Sequence, residues 1–304
     1  MLGRLLAVDE LGKRKDPDSV KRLKQLLNED AFYGVRIAAA QALRSMQTDA
    51  AFEALAASAK QKDARVRQEV VSQIGQFYRE AALELSKAVL EKEKNPTIEA
   101  AAIRSLGAYG KKQVDSILIR ELNSDSFHNI LGDAAISAMK AQSDPDYINP
   151  ILACLHEREE KFTTGGFARG LETLAYLAHE QEKKDAVREF LLQNVNSKKE
   201  RIQVAALNSL GTLGDVKAMA VLEKFAAASK ESPQRSAAEK ALASLRDSRK
   251  SSVELGNLRN EVLSLQKENR DLRKEFDDLK KRIESVLPDA ALVSTNKTGG
   301  KRKK

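Results

Sequence analysis

The chain has 304 residues, of which 42% are hydrophobic and 32% charged, so it holds enough apolar material for a folded core. Its single cysteine, Cys154, excludes a disulfide framework and is expected to be a small buried side chain. No segment approaches the roughly 18 apolar residues that span a bilayer, and the apolar run after Met1 is too short for a signal peptide. We therefore expect a cytoplasmic protein without a membrane partner.

The positive charge is unevenly distributed along the chain. The formal net charge is +8, from 52 Lys and Arg against 44 Asp and Glu. Residues 288–304 carry five basic side chains and one acidic side chain, whereas residues 251–287 are neutral overall. A run of this kind predicts a disordered basic tail that keeps the chain soluble and is not a specific reader of nucleic acid, so nucleic acid is not the expected partner.

One short sequence motif with helical periodicity, which we call the phrase, recurs over the first 250 residues. It contains an apolar residue, a centre of small residues such as Ala38-Ala39-Ala40, and a closing Leu-like residue. The closing residues lie 31 to 36 positions apart and are Leu43, Ile74, Leu106, Met139, Leu174, Leu210 and Leu242. A repeat of this length is one unit that buries its apolar face only against its neighbours.

A second amphipathic helix is predicted between the phrases, at residues 20–27, 82–90, 114–122, 148–155, 186–195 and 218–225. Proline marks four of the helix starts, in Asp16-Pro17, Asn95-Pro96, Asp144-Pro145 and Ser232-Pro233. We expect left-handed caps at the glycines that follow closing apolar residues, which are Gly12, Gly75, Gly107 and Gly211. The pattern predicts an all-α solenoid of about seven helix pairs over residues 1–250, without strands.

The phrases resemble the HEAT repeats of bacterial proteins. The resemblance rests on Tyr33-Gly34-Val35-Arg36 and Asp63-Ala64-Arg65-Val66-Arg67, each followed by an apolar helix, and copies in register extend it over residues 1–247. It implies a right-handed α-solenoid in which the second helix of each pair lines the concave face. It also implies a protein or peptide partner bound along that face.

A narrower resemblance concerns residues 30–36. Asp30-Ala31-Phe32-Tyr33-Gly34-Val35-Arg36 is similar to a phrase in the HEAT-type C-terminal region of bacterial zinc aminopeptidases of the aminopeptidase N class. Residues 2–12 resemble the second helix of a repeat whose first helix is missing, since Leu11 lies 32 residues before Leu43. An alternative hypothesis is therefore that the chain is a detached, non-catalytic region of such a metallopeptidase, or that its start is placed too late.

Arginine recurs on the second helices, at Arg36, Arg44, Arg67, Arg104, Arg169 and Arg201. These side chains form either a basic groove for acidic peptides or nucleic acid, or an internal ladder with acidic loop residues such as Asp30 and Asp63. The ladder is the favoured interpretation, because Glu99 stands where Arg36 and Arg67 stand in their repeats. The candidate contacts on the concave face are Arg36, Arg67, Arg104, Arg169 and Arg201.

No motif of a catalytic or cofactor site is recognised in the sequence. His156-Glu157 and His179-Glu180 begin like a zinc-protease motif, but Glu160 and Lys183 replace the second histidine that would share the metal. Thr163-Thr164-Gly165-Gly166 lacks the Lys-Ser/Thr ending of a phosphate-binding loop and is interpreted as a loop between helices. We therefore predict no catalytic residue, no metal, no cofactor and no enzymatic activity.

Residues 251–287 carry a heptad pattern that predicts a parallel coiled coil. The predicted dimer seam consists of Leu258, Val262, Leu265, Asn269, Leu272, Phe276, Leu279 and Ile283. Asn269 is the polar residue that fixes a two-stranded register, and Glu268 would pair with Arg273 of a second copy. A homodimer is the favoured interpretation, while pairing with another chain and a cap that folds back on the array are the alternatives.

These features predict a non-enzymatic scaffold that binds a protein or peptide partner and is displayed as a homodimer. Two copies would raise the avidity if both arrays reach one partner assembly. The alternative functions are the detached aminopeptidase region and a weak nucleic-acid binder that uses the tail and the arginines.

Overall fold

The computed structural model describes residues 2–228 and 231–286. Within these residues every regular element is a helix, and no strand occurs. The chain divides into two compact units, one ending at Leu245 and one beginning at Arg246. The prediction of an all-α solenoid is confirmed, and the predicted basic tail, residues 288–304, lies outside the described residues.

Within the described residues, seven helix pairs follow one unpaired helix. The first helices of the pairs are α2 (Pro17–Glu29), α4 (Asp49–Ala57), α6 (Glu80–Lys92), α8 (Lys111–Leu122), α10 (Ile148–Arg158), α12 (Asp185–Asn194) and α14 (Met219–Ala226). The second helices are α3 (Tyr33–Met46), α5 (Ala64–Gly75), α7 (Pro96–Leu106), α9 (Ile130–Gln142), α11 (Thr164–Ala178), α13 (Glu200–Leu213) and α15 (Pro233–Val286). The unpaired helix is α1 (Leu2–Arg14), which packs on α3 as a second helix would.

Polar side chains start several of these helices by accepting a bond from a free backbone amide. The Asp16 carboxylate accepts from the Ser19 amide at 2.8 Å, directly before the proline that begins α2. Asn95 accepts from the Thr97 amide at 3.0 Å before α7. Such caps satisfy orphan N–H donors, and they mark the helix starts in the sequence.

The second helices stack on one another in chain order, from α1 to α13. Glycine allows close approach in this stack, since a Cβ at Gly107 would lie 2.8 Å from the Ala138 carbonyl oxygen. A Cβ at Gly211 would lie 2.7 Å from the Cα of Ala241. Close approach of neighbouring repeats therefore requires glycine at these two positions.

The prediction of left-handed caps at Gly12, Gly75, Gly107 and Gly211 is wrong. Gly12, Gly75 and Gly211 lie within helices, and Gly107 has a right-handed φ of −58°. Left-handed residues follow other helices, at Lys15, Gln47, Ser143 and Gly214, with φ of 57°, 53°, 52° and 72°.

The hydrophobic core follows the stack but is not continuous. One cluster contains buried residues from Val8 to Ala82, and the largest contains residues from Leu83 to Leu245. A separate small cluster contains Val71, Ile98, Ala101 and Ala102, from α5 and α7. The core is therefore least continuous around the third helix pair.

Candidate functional site

The exposed residues of the second helices form one surface, which we call the second-helix face. Its exposed charged residues on α5 to α13 are Arg65, Arg104, Lys140, Arg169, Glu172, Glu200 and Arg201. First helices pack on the other side of α3 to α13, so this face is left uncovered within the array. It is the surface that the sequence resemblance assigns to partner binding.

A buried carboxylate organises the centre of the second-helix face. Asp133, in the first turn of α9, has a side chain that is only 9% exposed. Arg169 of α11 donates from Nε to Oδ1 at 3.0 Å and from Nη2 to Oδ2 at 2.6 Å. Arg104 of α7 places Nη2 3.7 Å from Oδ2. A buried carboxylate needs such partners, and here they link three successive repeats.

Two arginines, each with one positive charge, share the single negative charge of Asp133. Arg169 and Arg104 remain 49% and 43% exposed although Asp133 lies between them. The hydrogen bonds to Asp133 raise the pKa of Arg169 above its ordinary value. Arg201 of α13 lies over the start of α11, where a Cβ at Gly165 would be 3.4 Å from its Nη2. In residues 2–228 and 231–286 the Arg201 guanidinium has no ion pair.

Two of the five predicted contact residues lie in the internal ladder instead. Arg67 donates from Nε to Glu93 at 2.7 Å and from Nη1 to the Gln61 carbonyl oxygen at 2.6 Å. Arg36 lies 3.7 Å from Asp63. Both side chains are mostly buried and join neighbouring repeats.

The acidic residues of the ladder are held by hydrogen bonds from arginine, and one of them has a lowered pKa. Burial raises the pKa of Glu93, but the bonds from Arg67 and from backbone amides outweigh it and hold the pKa below its ordinary value. Asp30, the other acid that the sequence suggested, accepts from Arg4 of α1 at 2.7 Å. The ladder interpretation thus describes Arg36 and Arg67, whereas Arg104, Arg169 and Arg201 form a more exposed cluster whose contact with a partner stays a prediction.

The remaining sequence candidates are separate structural residues. His156 lies in the last turn of α10, and His179 of the α11 cap contacts the Thr212 carbonyl oxygen through Nδ1 at 2.6 Å. Thr163 caps α11, so Thr164 and the two glycines after it begin a helix and do not form the predicted loop. Cys154 is buried as predicted, and burial raises the pKa of its thiol. The described part of the chain holds no cluster of three His, Cys, Asp or Glu residues that would bind a metal.

The predicted dimer seam lies on one long exposed helix. Its apolar members, from Leu258 to Ile283, are 45% to 68% exposed. Asn269 is exposed among them, while Leu263, also exposed, lies off the seam. No helix of residues 2–228 and 231–286 is long and apolar enough to cross a membrane.

The sequence reasoning missed Asp133 and helix α4. Asp133 lies one repeat after Arg104 and one repeat before Arg169, at separations of 29 and 36 residues, and these separations were the available signal. The α4 segment carried a capping residue, Thr48, whose hydroxyl accepts from the Ala51 amide at 3.2 Å. Its many alanines gave a weak apolar stripe.

Comparison with known proteins identifies the repeat. A family model described as HEAT repeats matches residues 2–72 and 53–140. No curated protein sequence matches the chain. Neither the family model nor the solved structures reported below concern a zinc aminopeptidase, and that resemblance stays a prediction.

Two solved structures are similar in helical arrangement at low identity. Human deoxyhypusine hydroxylase in complex with glycerol matches with a TM-score of 0.37 and 15% identity, over 76% of this chain and 97% of that one. A chain of the CpcE and CpcF complex of phycocyanin lyase from Nostoc sp. PCC7120 matches with a TM-score of 0.45 and 18% identity, over 76% of this chain and 94% of that one.

The prediction of no enzymatic activity is wrong as an exclusion. Both similar structures carry the names of enzymes, a hydroxylase and a lyase, so a helical array without a familiar motif does not rule out catalysis. These distant likenesses assign no reaction to this chain. The family match shows residues 2–140 to be HEAT repeats, and the second helices that follow stack in the same way as far as α13.

Proposed function

We propose that this HEAT-repeat protein is a scaffold whose second-helix face binds an acidic segment of a protein partner. The observation that carries the proposal is the cationic cluster of α7 to α13. There Arg104 and Arg169 share the buried carboxylate of Asp133, and Arg201 lies over Gly165 at the start of α11. The cluster has a net positive charge and unused hydrogen-bond donors.

Arginine suits this role because its planar guanidinium binds a carboxylate through two parallel bonds. Each guanidinium has five N–H donors, and the bonds to Asp133 use two of those of Arg169. Since Asp133 already holds Arg169 in place, a second carboxylate binds it with little further loss of side-chain freedom. The free donors of Arg104 and Arg201 extend the site across neighbouring repeats.

The proposal is tested with a fluorescein-labelled octaglutamate peptide and the full chain, by fluorescence anisotropy at low salt. We expect the double variant R104A/R201A to bind about tenfold more weakly, because two part-exposed ion pairs together contribute roughly 1–1.5 kcal/mol. Arg169 is left unchanged, because its removal would deprive Asp133 of both hydrogen bonds.

The matched control is R22A/K112A, which removes two exposed cationic side chains from the first helices α2 and α8. It should bind like the parent chain. Equal weakening by both double variants would show that only the net charge matters, and it would overturn the proposal. If duplex DNA displaces the peptide and its own binding is lost in R104A/R201A, nucleic acid replaces the acidic protein segment as the partner class.

We also propose that residues 258–283 pair with a second copy of the chain. The support is the row of exposed apolar side chains at heptad spacing, interrupted by Asn269. A parallel pair would present two second-helix faces to one partner assembly and so raise the avidity. Sedimentation equilibrium should then give twice the mass of one chain.

A further inference from the structure

A groove opens beside α4, on the side of the array formed by the first helices. Helix α4 has 9 residues, whereas its neighbours α2 and α6 have 13 each. Residues 58–63 then connect α4 to α5 without regular helix. The groove between this connection and α6 has a volume of about 410 Å³, which lies in the range of ligand pockets.

The floor of this α4–α6 groove is apolar. Val71 of α5 is buried there, and Leu85 and Val89 of α6 are half-buried. Ala59 and Ala88 also line it, and their small side chains leave the space open. Apolar side chains that entered the groove would displace water from this floor, which favours binding.

The rim of the groove is positively charged. Arg67 and Glu93 line one part and bond each other at 2.7 Å, so their charges offset each other. Lys60 and Lys92 also line the groove and are exposed. Neither lysine makes an ion pair in the part of the chain that the structure describes. An apolar floor below two unpaired lysines fits an acidic amphipathic segment.

We propose that the α4–α6 groove docks a short amphipathic helix of a protein partner. Apolar side chains four residues apart would lie on Val71, Leu85 and Val89, and flanking carboxylates would meet Lys60 and Lys92. Charge argues against the chain's own tail as occupant, because residues 288–304 carry five basic side chains and one acidic side chain. The groove lies on the first-helix side of the array, so this proposal does not depend on the second-helix face.

A docked helix would contact the part of the array in which the hydrophobic core is least continuous. Val71 belongs to the small cluster that also contains Ile98, Ala101 and Ala102. Apolar contacts added at Val71 would reinforce this repeat, and we expect slower amide hydrogen exchange in α5, α6 and α7 when the groove is occupied.

The test uses a fluorescein-labelled, alanine-based helical peptide with two leucines four residues apart and glutamates at both flanks. Anisotropy measures its binding to the full chain. We expect K60E/K92E to bind roughly tenfold more weakly or worse, because both ion pairs are replaced by repulsion. Ala88→Phe, which fills the groove from its lining, should weaken binding as strongly without a change in charge.

Three controls make the outcome decisive. K21E/K24E reverses two exposed lysines on α2 and should bind like the parent chain. R104A/R201A should also bind normally, since it alters only the second-helix face. A peptide of the same composition with its leucines on opposite helix faces should bind weakly.

The proposal is overturned if the peptide does not bind, if A88F binds it normally, or if K21E/K24E weakens it as much as K60E/K92E. Loss of binding in R104A/R201A alone would show that the peptide binds the second-helix face, and it would also overturn the groove proposal. Failure of octaglutamate to bind that face leaves this test unaffected.

Discussion

The array and the terminal part of α15 use the same apolar residue types in opposite ways. In the array the seven closing residues of the repeats are at most 5% exposed, as at Leu43 and Leu242. In residues 258–283 the seven apolar seam residues are 45% to 68% exposed. Leucine and isoleucine occur in both sets, so the residue type alone does not explain the difference in burial.

That cause is the supply of neighbouring surfaces. Each second helix from α3 to α11 is packed by a first helix and by the second helices before and after it. The array therefore satisfies its own apolar faces, as stacked repeats do. The terminal segment has a heptad stripe, whose narrow geometry fits another helix of the same kind. Its apolar area is available to a second chain.

The largest expected effect concerns this exposed stripe. Leu265→Glu places a charge in each strand at the centre of the proposed seam, where burial without a partner is costly. We expect the dimer dissociation constant to rise at least about a hundredfold, which corresponds to roughly 2.7 kcal/mol. Sedimentation equilibrium would then show a single chain at concentrations where the parent chain is dimeric.

Leu263→Glu is the matched control for this change. Leu263 and Leu265 are 54% and 56% exposed, but only Leu265 lies on the seam. The L263E variant should stay dimeric, because its side chain faces away from a parallel partner. A monomeric parent chain, or equal dissociation of both variants, would refute the homodimer and remove the contrast between the two regions.

The sequence predicted the array well because its signals are local. The closing residues mark the second helices, and six of the seven first helices were placed from their apolar spacing. Helix α4 escaped because it is short and rich in alanine, although the repeat that contains it has the shortest spacing, 31 residues from Leu43 to Ile74. The groove beside it could not be anticipated, since a groove depends on what neighbouring helices leave uncovered.

The Asp133 cluster could not be predicted for a related reason. Asp133 and Arg169 do not occupy the same position in their phrases, because the phrase that ends at Leu174 is degenerate. Their pairing depends on which side of each helix the two side chains occupy, and the spacing of closing residues does not determine this. The roles of Gly107 and Gly211 were misjudged likewise, because a contact with the next repeat was interpreted as a local turn.

The next prediction concerns the close packing of the second helices, by which the array buries its own apolar faces. Gly107→Ala and Gly211→Ala would each force a Cβ against backbone atoms of the next helix, which cannot move as a flexible side chain can. We expect each to lower the free energy of unfolding by about 1–3 kcal/mol, even after the gain in helix propensity. Urea denaturation followed by circular dichroism measures this change.

Gly3→Ala is the corresponding control in α1. A Cβ at Gly3 would have nothing within 4 Å, so this substitution should raise stability by roughly 0.5–1 kcal/mol or leave it unchanged. If Gly107→Ala and Gly211→Ala behave in the same way, the second helices adjust freely. The array would then be less tightly specified than its burial indicates.

The smallest expected effect concerns an ion pair between two helices of the array, Arg188 with Asp215. Arg188 of α12 bonds both Asp215, whose side chain is 12% exposed, and Asp185, which is 58% exposed. Burial raises the pKa of Asp215, but the bonds from the Lys217 amide and Arg188 outweigh it and hold the pKa below its ordinary value. Asp215→Asn should therefore cost about 1–2 kcal/mol at neutral pH, whereas Asp185→Asn should cost no more than roughly 1 kcal/mol.

The pH dependence of stability distinguishes the loss of this ion pair from a general loss of packing. A carboxylate with a lowered pKa in the folded state stabilises the fold above its unfolded pKa of about 3.9. This stability is lost as the pH falls through the folded pKa. The difference in stability between the parent chain and D215N should thus be full at pH 7 and should narrow below about pH 4. Urea midpoints measured from pH 7 to pH 3 test this, and a constant difference would show that Asp215 acts through shape and not through charge.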